Sequence, residues 1–456
     1  MNSLNFYLGL WAGKAAIAAF SRMGRKNDDR PGLLARKFDI DFIKHASKPE
    51  HVLLVTGTNG KSSITNMINS IYKDLGYQTG CNESGNNTFA GEAWVLLKSN
   101  NIFNRPAVDA IVMEADELYS RITFPQIKPS HLIISNLGRD SMFKNANPEI
   151  PAESLKQALK QLPETVVFLN GDDPLSCFLR KGPNTIYYGV ADMHAKMKTP
   201  ISNDFGICPV CGAIPEYHYR NYRHIGNFTC PRCGLKSPEK DYLCTRIDED
   251  SITVKDKEGS FQYPLISDTI YNIYNEVAII AYFRELNYTP KEVSSMLSKI
   301  KLPDIREERV TVGNIEVIRR AMKGQNASAA STVLQSLISQ PGDKEIILME
   351  DEIPDETSIE TICWIWDTDF EYLKDDKIKR IIISGKRHLD HSVRLLCAGI
   401  DEDIMIDFEE DEEIPQHLMI DGIDKIYILY DIMALSRSRK VMERVIAALK
   451  GENNES

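Results

Sequence analysis

The segment TGTNGKSS, from Thr56 to Ser63, contains the residue types that bind nucleotide phosphates. Glycines let backbone N–H groups point at an anion, a lysine can reach the terminal phosphates, and a serine hydroxyl can hold Mg²⁺. The run HVLLV precedes the segment and ITNMINSIYKDLGY follows it, which predicts a strand, a loop and a helix N-terminus. The candidate nucleotide-binding residues are Gly57, Thr58, Asn59, Gly60, Lys61, Ser62 and Ser63.

This segment departs from the usual phosphate loop, G-x-x-x-x-G-K-[ST], because the first glycine of that pattern would fall at Val55. A polar turn between a strand and a helix is therefore the alternative interpretation. The apolar strand ahead of the segment and the long amphipathic helix behind it favour a phosphate loop.

Two further positions suit a nucleotide site. Glu114 lies at the carboxyl end of the predicted strand AVDAIVMEA (107–115). Open α/β sheets bind ligands at the carboxyl ends of their strands, where a carboxylate suits Mg²⁺. Asn272 and Asn275 are about one turn apart in the predicted helix 269–286 and face the same side. The alternatives are a solvated turn at Glu114 and helix capping or surface polarity for the two asparagines.

Four cysteines form two tight pairs, CPVC and CPRC, with the overall spacing C-x2-C-x18-C-x2-C. This spacing predicts a tetrahedral zinc site, and a closed site of four thiolates stabilises a fold and leaves no position for a substrate. Two accidental pairs, or two disulfides, are the alternative. The predicted ligands are Cys208, Cys211, Cys230 and Cys233.

Apolar runs alternate with helical patterns, which predicts open α/β domains with parallel sheets. The predicted strands of the first pattern lie at 51–57, 107–115, 131–136 and 165–170, and those of a second, Rossmann-like pattern at 314–321, 344–351, 379–385 and 424–430. A hairpin turning at 257–259 follows the cysteines. We predict an N-terminal helical segment (1–45), an ATP-binding central domain (46–302) with a zinc ribbon inserted at about 204–240, and a C-terminal domain (303–456).

Composition restricts the partners and the compartment. The 456 residues carry a formal net charge of −11, which repels nucleic acid, and no extended basic patch offsets it. The nine cysteines are spread over a long chain, so a reducing cytoplasmic compartment fits better than a disulfide scaffold.

The N-terminus is apolar but does not fit a signal peptide, because Lys14 interrupts the apolar stretch and no basic region precedes it. We predict a helix that packs on the body of the protein, and peripheral contact with the inner membrane face is the alternative. The face expected to pack contains Leu4, Tyr7, Leu8, Trp11, Ala15 and Ala18.

Four motifs in order resemble the Mur ligase superfamily of ATP-dependent amide-forming enzymes: VTGTNGKSS, VMEADE, NGDDP and IYNIYNEVAIIAYF. The resemblance implies ATP and Mg²⁺ as cofactors, Lys61 and Glu114 as catalytic residues, and Ser62 with Glu114 as magnesium ligands. It places Asn272 and Asn275 on the adenine side, and we also assign Arg306 to nucleotide binding.

The cysteine pairs, the segment WIWDTDFEYL (364–373), SGKRHLDHSVRLL (384–396) and NESGNN (82–87) resemble the MurT family. That resemblance implies a heterodimer with a GatD-type glutaminase. In that complex, ATP activates the D-glutamate α-carboxylate of lipid II, or of a related peptidoglycan precursor, as an acyl phosphate, and ammonia released from glutamine attacks it.

The substrate side departs from that family. Thr361 stands where the family has an aspartate that is thought to complete the catalytic triad of the partner, and Asp355 or Glu360 could substitute for it. Lys323, Asn136, Arg139 and Asp140 are retained within otherwise altered motifs. Two alternatives remain: a diverged ligase, such as the pseudomurein type, that joins an amino acid without a glutaminase, and a nonenzymatic nucleotide-binding subunit.

Overall fold

A computed structural model describes residues 4–25, 28–139, 147–193, 203–300, 307–322, 326–349, 364–431 and 434–451. The chain divides into two compact units. The first consists of Met1–Gly138, Asn147–Lys198 and Asp204–Lys301, and the second of Leu302–Ser456 with two short segments, Arg139–Ala146 and Thr199–Asn203.

Three helices begin the first unit: α1 (Leu4–Arg22), α2 (Arg30–Phe38) and α3 (Phe42–His45). The predicted N-terminal helix is confirmed, but the prediction of its packed face is wrong. Helix α1 buries Phe6, Gly9, Leu10 and Gly13. A Cβ at Gly9 would lie 2.7 Å from the Ala35 carbonyl oxygen, so the helices approach closely only along this glycine face.

The bulky face of α1 therefore points outward. Leu4 is 72% exposed, Leu8 40% and Trp11 48%, and Ala15 and Ala18 are also exposed. The Trp11 indole Nε1 donates to the Ile102 carbonyl oxygen at 2.9 Å, which keeps the ring at the surface. Within the described ranges, the helices include none that is long and apolar enough to cross a bilayer.

The large sheet of the first unit has nine strands in the order β11-β10-β9-β6-β5-β4-β1-β3-β2. Its elements are β1 (His51–Thr56), α4 (Lys61–Asp74), β2 (Thr79–Gly80), α5 (Phe89–Ser99), β3 (Ala110–Glu114), α6 (Ser120–Ile127), β4 (His131–Ile134), α7 (Glu149–Lys160), β5 (Val166–Asn170), β6 (Thr185–Val190), β9 (Tyr242–Ile247), β10 (Ser251–Asp256), β11 (Gly259–Pro264), α8 (Ile270–Glu285) and α9 (Pro290–Leu297).

The pairing in this sheet confirms the predicted α/β architecture. Strands β1 to β6 and β9 pair in parallel, and only β9-β10-β11 form an antiparallel edge, which includes the predicted hairpin. Strand β1 lies between β3 and β4 and buries five of its six residues. The carboxyl ends of these three central strands therefore meet at one edge of the sheet.

The chain between β6 and β9 contains a separate two-stranded ribbon of β7 (Glu216–Tyr222) and β8 (Ile225–Thr229). Aromatic side chains gather on it: the Phe228 ring lies 4.9 Å from the ring of Phe205 and 6.0 Å from that of Tyr217. A two-stranded hairpin is marginally stable alone, so this packing and the cysteine pairs beside it must stabilise the ribbon.

The second unit contains a six-stranded sheet in the order β12-β13-β17-β14-β15-β16, with core residues packed on both faces. The elements are β12 (Glu307–Val312), β13 (Ile315–Ala321), α10 (Ala327–Ser339), β14 (Lys344–Met349), α11 (Trp364–Asp367), β15 (Ile378–Ser384), α12 (His388–Cys397), β16 (Met405–Phe408), β17 (Lys425–Tyr430) and α13 (Leu435–Leu449), with 3-10 turns at Phe370–Leu373, Glu402–Ile404 and Asp411–His417. All its strand pairs are parallel except β12 with β13.

Strand β12 is the main difference from the predicted second pattern. Its sequence, EERVTV, is charged and largely exposed, and the charge suggested a boundary segment and not a strand. The structure places it at the sheet edge, where charged side chains discourage pairing with another chain. Sequence periodicity could not show this, because an edge strand does not need a continuous apolar run.

Candidate functional site

The TGTNGKSS segment forms the predicted strand–loop–helix turn. Strand β1 ends at Thr56, Gly60 is the N-cap of α4, and Lys61, Ser62 and Ser63 form its first turn. Gly57 and Gly60 have φ angles of 125° and 89°, which disfavour residues with a Cβ. The first N–H groups of an α-helix have no partner within the helix, so this turn is suited to bind an anion.

Lys61 points back over the loop. Its Nζ donates to the Gly57 carbonyl oxygen and lies 3.3 Å from Glu117 Oε2, and the side chains of Lys61 and Glu117 are 10% and 4% exposed. An ammonium group is thereby held beside the glycine turn. We did not predict Glu117 as a site residue, although it belongs to the same VMEADE motif as Glu114.

Ser62 and Glu114 lie together, as the two predicted magnesium ligands must. The Ser62 hydroxyl donates to Glu114 Oε2 at 2.6 Å, and Asn87 Nδ2 donates to the other carboxylate oxygen at 2.9 Å. Asn82 fixes the backbone of Glu114 through two hydrogen bonds of 2.8 Å. Two hard oxygen atoms at this distance can both bind one Mg²⁺ ion.

Asn82 and Asn87 are site residues that we did not predict, although both belong to the motif NESGNN. A Cβ at Gly85 would lie 3.7 Å from both Glu114 Oε2 and Ser62 Oγ, so this segment lies directly over the two oxygens. The sequence could not show that this segment lies beside Glu114 and Ser62, because the segment follows β2, a strand of only two residues.

The segment 135–138, after β4, holds the phosphate loop from the other side. The Thr58 amide donates to the Asn136 carbonyl oxygen at 2.8 Å, and the Gly138 amide donates to Thr58 Oγ1 at 3.0 Å. The Asn136 side chain exchanges two hydrogen bonds with the backbone of Asn59. Thr58 and Asn59 therefore position the loop through contacts with this segment.

Asn275 lies against the phosphate loop, whereas Asn272 does not contact it in the described hydrogen bonds. A Cβ at Gly60 would lie 2.5 Å from Asn275 Oδ1. Asn272 Nδ2 donates to Thr269 Oγ1 at 2.8 Å, which fits the capping alternative. Burial raises the pKa of the neighbouring Glu276 to about 8, so this carboxyl group is mostly uncharged at pH 7.

Three other predicted positions, Asp355, Glu360 and Arg306, lie outside the described residues, as does Thr361.

In the second unit, the two segments that resemble the MurT family pack on each other. Arg394 on α12 donates to the Ile365 and Thr368 carbonyl oxygens at 3.0 and 2.7 Å and makes two 2.9 Å contacts with Glu371.

The four paired cysteines form one cluster, with sulfur atoms within 4.8 Å of one another. Cys208 and Cys233 approach to 3.6 Å, and Cys211 and Cys230 to 3.5 Å, which is too long for disulfide bonds. In each pair the backbone carbonyl oxygen of the first cysteine accepts from an amide four residues on: Cys208 from Gly212 and Cys230 from Gly234, both at 2.9 Å. Four converging thiols on two tight turns fit a tetrahedral metal ion.

The chain is similar to known proteins over most of its length. Residues 55–205 match the Mur ligase middle domain, and residues 324–435 match the MurT ligase C-terminal domain. The MurT subunit of the lipid II isoglutaminyl synthase of Streptococcus pneumoniae is 28% identical over 447 residues, which cover 96% of this chain and 97% of that protein. The Staphylococcus aureus subunit is 26% identical over 400 residues, 86% of this chain and 88% of its own length.

Among solved structures, a type C pseudomurein peptide ligase from Methanothermus fervidus has the same fold. It superposes with a TM-score of 0.67 over 91% of this chain and 84% of its own, at 18% sequence identity. An identity this low shows the fold alone.

The two matched domains give the class that the chain resembles: it is similar to the Mur ligase superfamily and is an ATP-dependent ligase. Members of that superfamily use ATP and Mg²⁺. The chain is also similar to the MurT subunits along almost its whole length.

Proposed function

We propose that this chain is the synthetase subunit of an enzyme that amidates the D-glutamate α-carboxylate of lipid II in peptidoglycan synthesis. The observation that carries this proposal is the site formed by Lys61, Ser62 and Glu114 on a chain whose similarity to MurT subunits extends over 96% of its length. A carboxylate oxygen of the acceptor attacks the γ-phosphorus of ATP, and ADP leaves. Ammonia then attacks the acyl carbon, phosphate leaves and a proton is lost.

The chain's own residues position and neutralise the reacting groups. The loop amides and the Lys61 ammonium bind the phosphates and offset the charge that moves to ADP during transfer. Ser62 and Glu114 would hold Mg²⁺, which would supply positive charge beside the phosphates. Asn275 orients the nucleotide from α8. We propose that Asn272 and Arg306, which the sequence assigns to nucleotide binding, lie on the same side of the nucleotide. We also propose the domain boundaries that the sequence predicts.

We propose that a GatD-type glutaminase supplies the ammonia and docks on the second unit. Helix α12 exposes Leu389 (64%), Val393 (51%) and Leu396 (44%) along one face, and Trp366 is 47% exposed. The Trp366 ring centroid on α11 is 6.0 Å from the guanidinium of Arg394 on α12. The exposed apolar side chains of these two helices offer a docking surface. Residues 350–363, which include Asp355 and Glu360, directly precede this segment in sequence.

We propose that the cysteine cluster binds one Zn²⁺ ion with a structural role. Thiolate ligands and the C-x2-C spacing suit zinc, and four protein ligands leave no position open for substrate. The ion would fix the end of the ribbon that two strands alone stabilise poorly.

We also propose that the enzyme works at the cytoplasmic membrane face, where a lipid-linked acceptor is located. The exposed face of α1 combines Leu4, Leu8 and Trp11 with the exposed Arg22, and the exposed Arg25 follows the helix. Residues 1–27 contain no Asp or Glu, although the whole chain has a net charge of −11. A helix with an apolar face, an interfacial tryptophan and basic residues suits an anionic bilayer surface.

Replacing Lys61 by Ala should lower the rate of glutamine-dependent amidation by about 10²-fold or more, because the phosphoryl group loses its cationic partner. The measurement is product mass after incubating lipid II, ATP and glutamine with the chain and its glutaminase. Lys160→Ala, an exposed lysine on α7, is the control and should keep wild-type activity. Attachment of an amino acid by the isolated chain, at a rate comparable to amidation, would favour the pseudomurein-type alternative. Loss of ATP turnover in a folded Lys61→Ala chain would reject the nonenzymatic alternative.

The double substitution Leu389→Glu and Val393→Glu should prevent copurification with the glutaminase, because two charges would be buried in an apolar interface. Leu435→Glu, at a leucine of the same unit that is 48% exposed, should leave copurification unchanged. Full recovery of the complex with the double variant would show that docking occurs elsewhere.

Elemental analysis of the purified chain should find one zinc ion per chain. The double substitution Cys208→Ser and Cys211→Ser should remove it and lower the unfolding temperature, because the ribbon loses two ligands. Cys397→Ser, an exposed cysteine in the second unit, should change neither quantity. Equal zinc content in the double variant and the wild type would refute the site.

Leu8→Glu combined with Trp11→Glu should weaken sedimentation with phosphatidylglycerol vesicles by about tenfold or more, because charged groups resist burial among lipid tails. Ile150→Glu, at an exposed isoleucine on α7, serves as the control. If instead the double substitution leaves vesicle binding intact and dissociates an oligomer, then the face binds a second copy of the chain.

A further inference from the structure

The hairpin turn of the ribbon reaches the segment that supports the phosphate loop. Arg223 and His224 form the turn between β7 and β8, and the side chain of His224 is only 4% exposed. His224 Nε2 lies 2.8 Å from the Leu137 carbonyl oxygen. Because a carbonyl oxygen only accepts hydrogen bonds, Nε2 carries the proton and donates it.

Both backbone groups of Leu137 are therefore held by side chains. Asp173 Oδ2 accepts from the Leu137 amide at 2.7 Å, while Asp173 Oδ1 lies 3.4 Å from His224 Nε2. The residues on either side of Leu137 contact the phosphate loop: Asn136 accepts from the Thr58 amide, and Gly138 donates to Thr58 Oγ1. The Leu137 carbonyl and the Gly138 amide belong to the same planar peptide unit, so the histidine contact and the contact with Thr58 Oγ1 lie on one rigid group.

A second connection runs from the ribbon to α8. Asn221 Nδ2 donates to the Tyr274 hydroxyl at 2.9 Å, and that hydroxyl donates to Asp172 Oδ2 at 2.9 Å. Burial raises the pKa of Tyr274, so the hydroxyl keeps the proton that it donates. Tyr274 precedes Asn275, the residue packed against Gly60.

The opposite end of the ribbon is the cysteine cluster. Cys230 directly follows β8, and the five residues of this strand span roughly 17 Å. The ribbon therefore extends from the thiols to the turn at His224, with the aromatic packing around Phe228 between them. A hairpin that is held at one end by a metal ion and buried at the other can restrict the motion of the segment that it contacts at Leu137.

We infer that His224 is a positioning residue for the nucleotide site: it fixes segment 135–138, and through it the phosphate loop, without contacting the nucleotide. The inference rests on the proposed binding of ATP at this loop. It assigns the ribbon a role in nucleotide affinity, in addition to its own stability.

The test is calorimetric titration of the full chain with a nonhydrolysable ATP analogue and Mg²⁺. His224→Ala should weaken the affinity about tenfold, the effect of losing one buried hydrogen bond to the segment. His224→Gln, whose amide can donate to the same carbonyl oxygen, should restore most of it. His218→Ala, an exposed histidine on β7 bonded to Thr229 at 2.9 Å, should bind as the wild type does.

Hydrogen exchange provides a second readout that does not need nucleotide. The Thr58 and Leu137 amides should exchange faster in His224→Ala than in His218→Ala, while zinc content stays the same. Wild-type affinity and wild-type exchange of these amides in a folded His224→Ala protein would overturn the inference. Failure of the wild-type chain itself to bind the analogue would instead overturn the proposed function, and the exchange data would still test the positioning role.

Discussion

The hydrogen bond from the Thr58 amide to the Asn136 carbonyl oxygen is the contact on which the arrangement of the site depends. A loop with two glycines of positive φ has many conformations available to it, and its amides bind phosphate strongly only if they already point to one place. Segment 135–138 restricts the loop from one side, and Asn275 restricts it from the other. The chemistry therefore depends on residues that never touch the reacting atoms.

Much of this site could be predicted from the sequence because its motifs are local. Gly57, Gly60, Lys61 and Ser62 lie within six residues, and the cysteine spacing alone predicts four converging thiols. The supporting contacts could not be predicted, since they join positions far apart in the chain. The contact of His224 with Leu137, for example, spans 87 residues.

Helix α1 shows a different limit of sequence analysis. Its sequence has apolar residues on more than one side, and we assigned the side with bulky residues to the core. The structure buries the glycine side, because Gly9 and Gly13 allow α1 to approach Ala35 and Leu97 more closely than any larger residue could. Periodicity counts apolar residues, whereas packing depends on how near two backbones can come.

The position of the ribbon in the chain has a topological consequence. Strands β6 and β9 are parallel neighbours, and such strands require a long crossover that returns the chain to the starting edge, usually as a helix. Here the residues between Val190 and Tyr242, which include the cysteine ribbon, form that crossover connection. A tight turn at this point could join the two strands only as an antiparallel pair. The insertion is therefore required for the parallel pairing of β6 with β9.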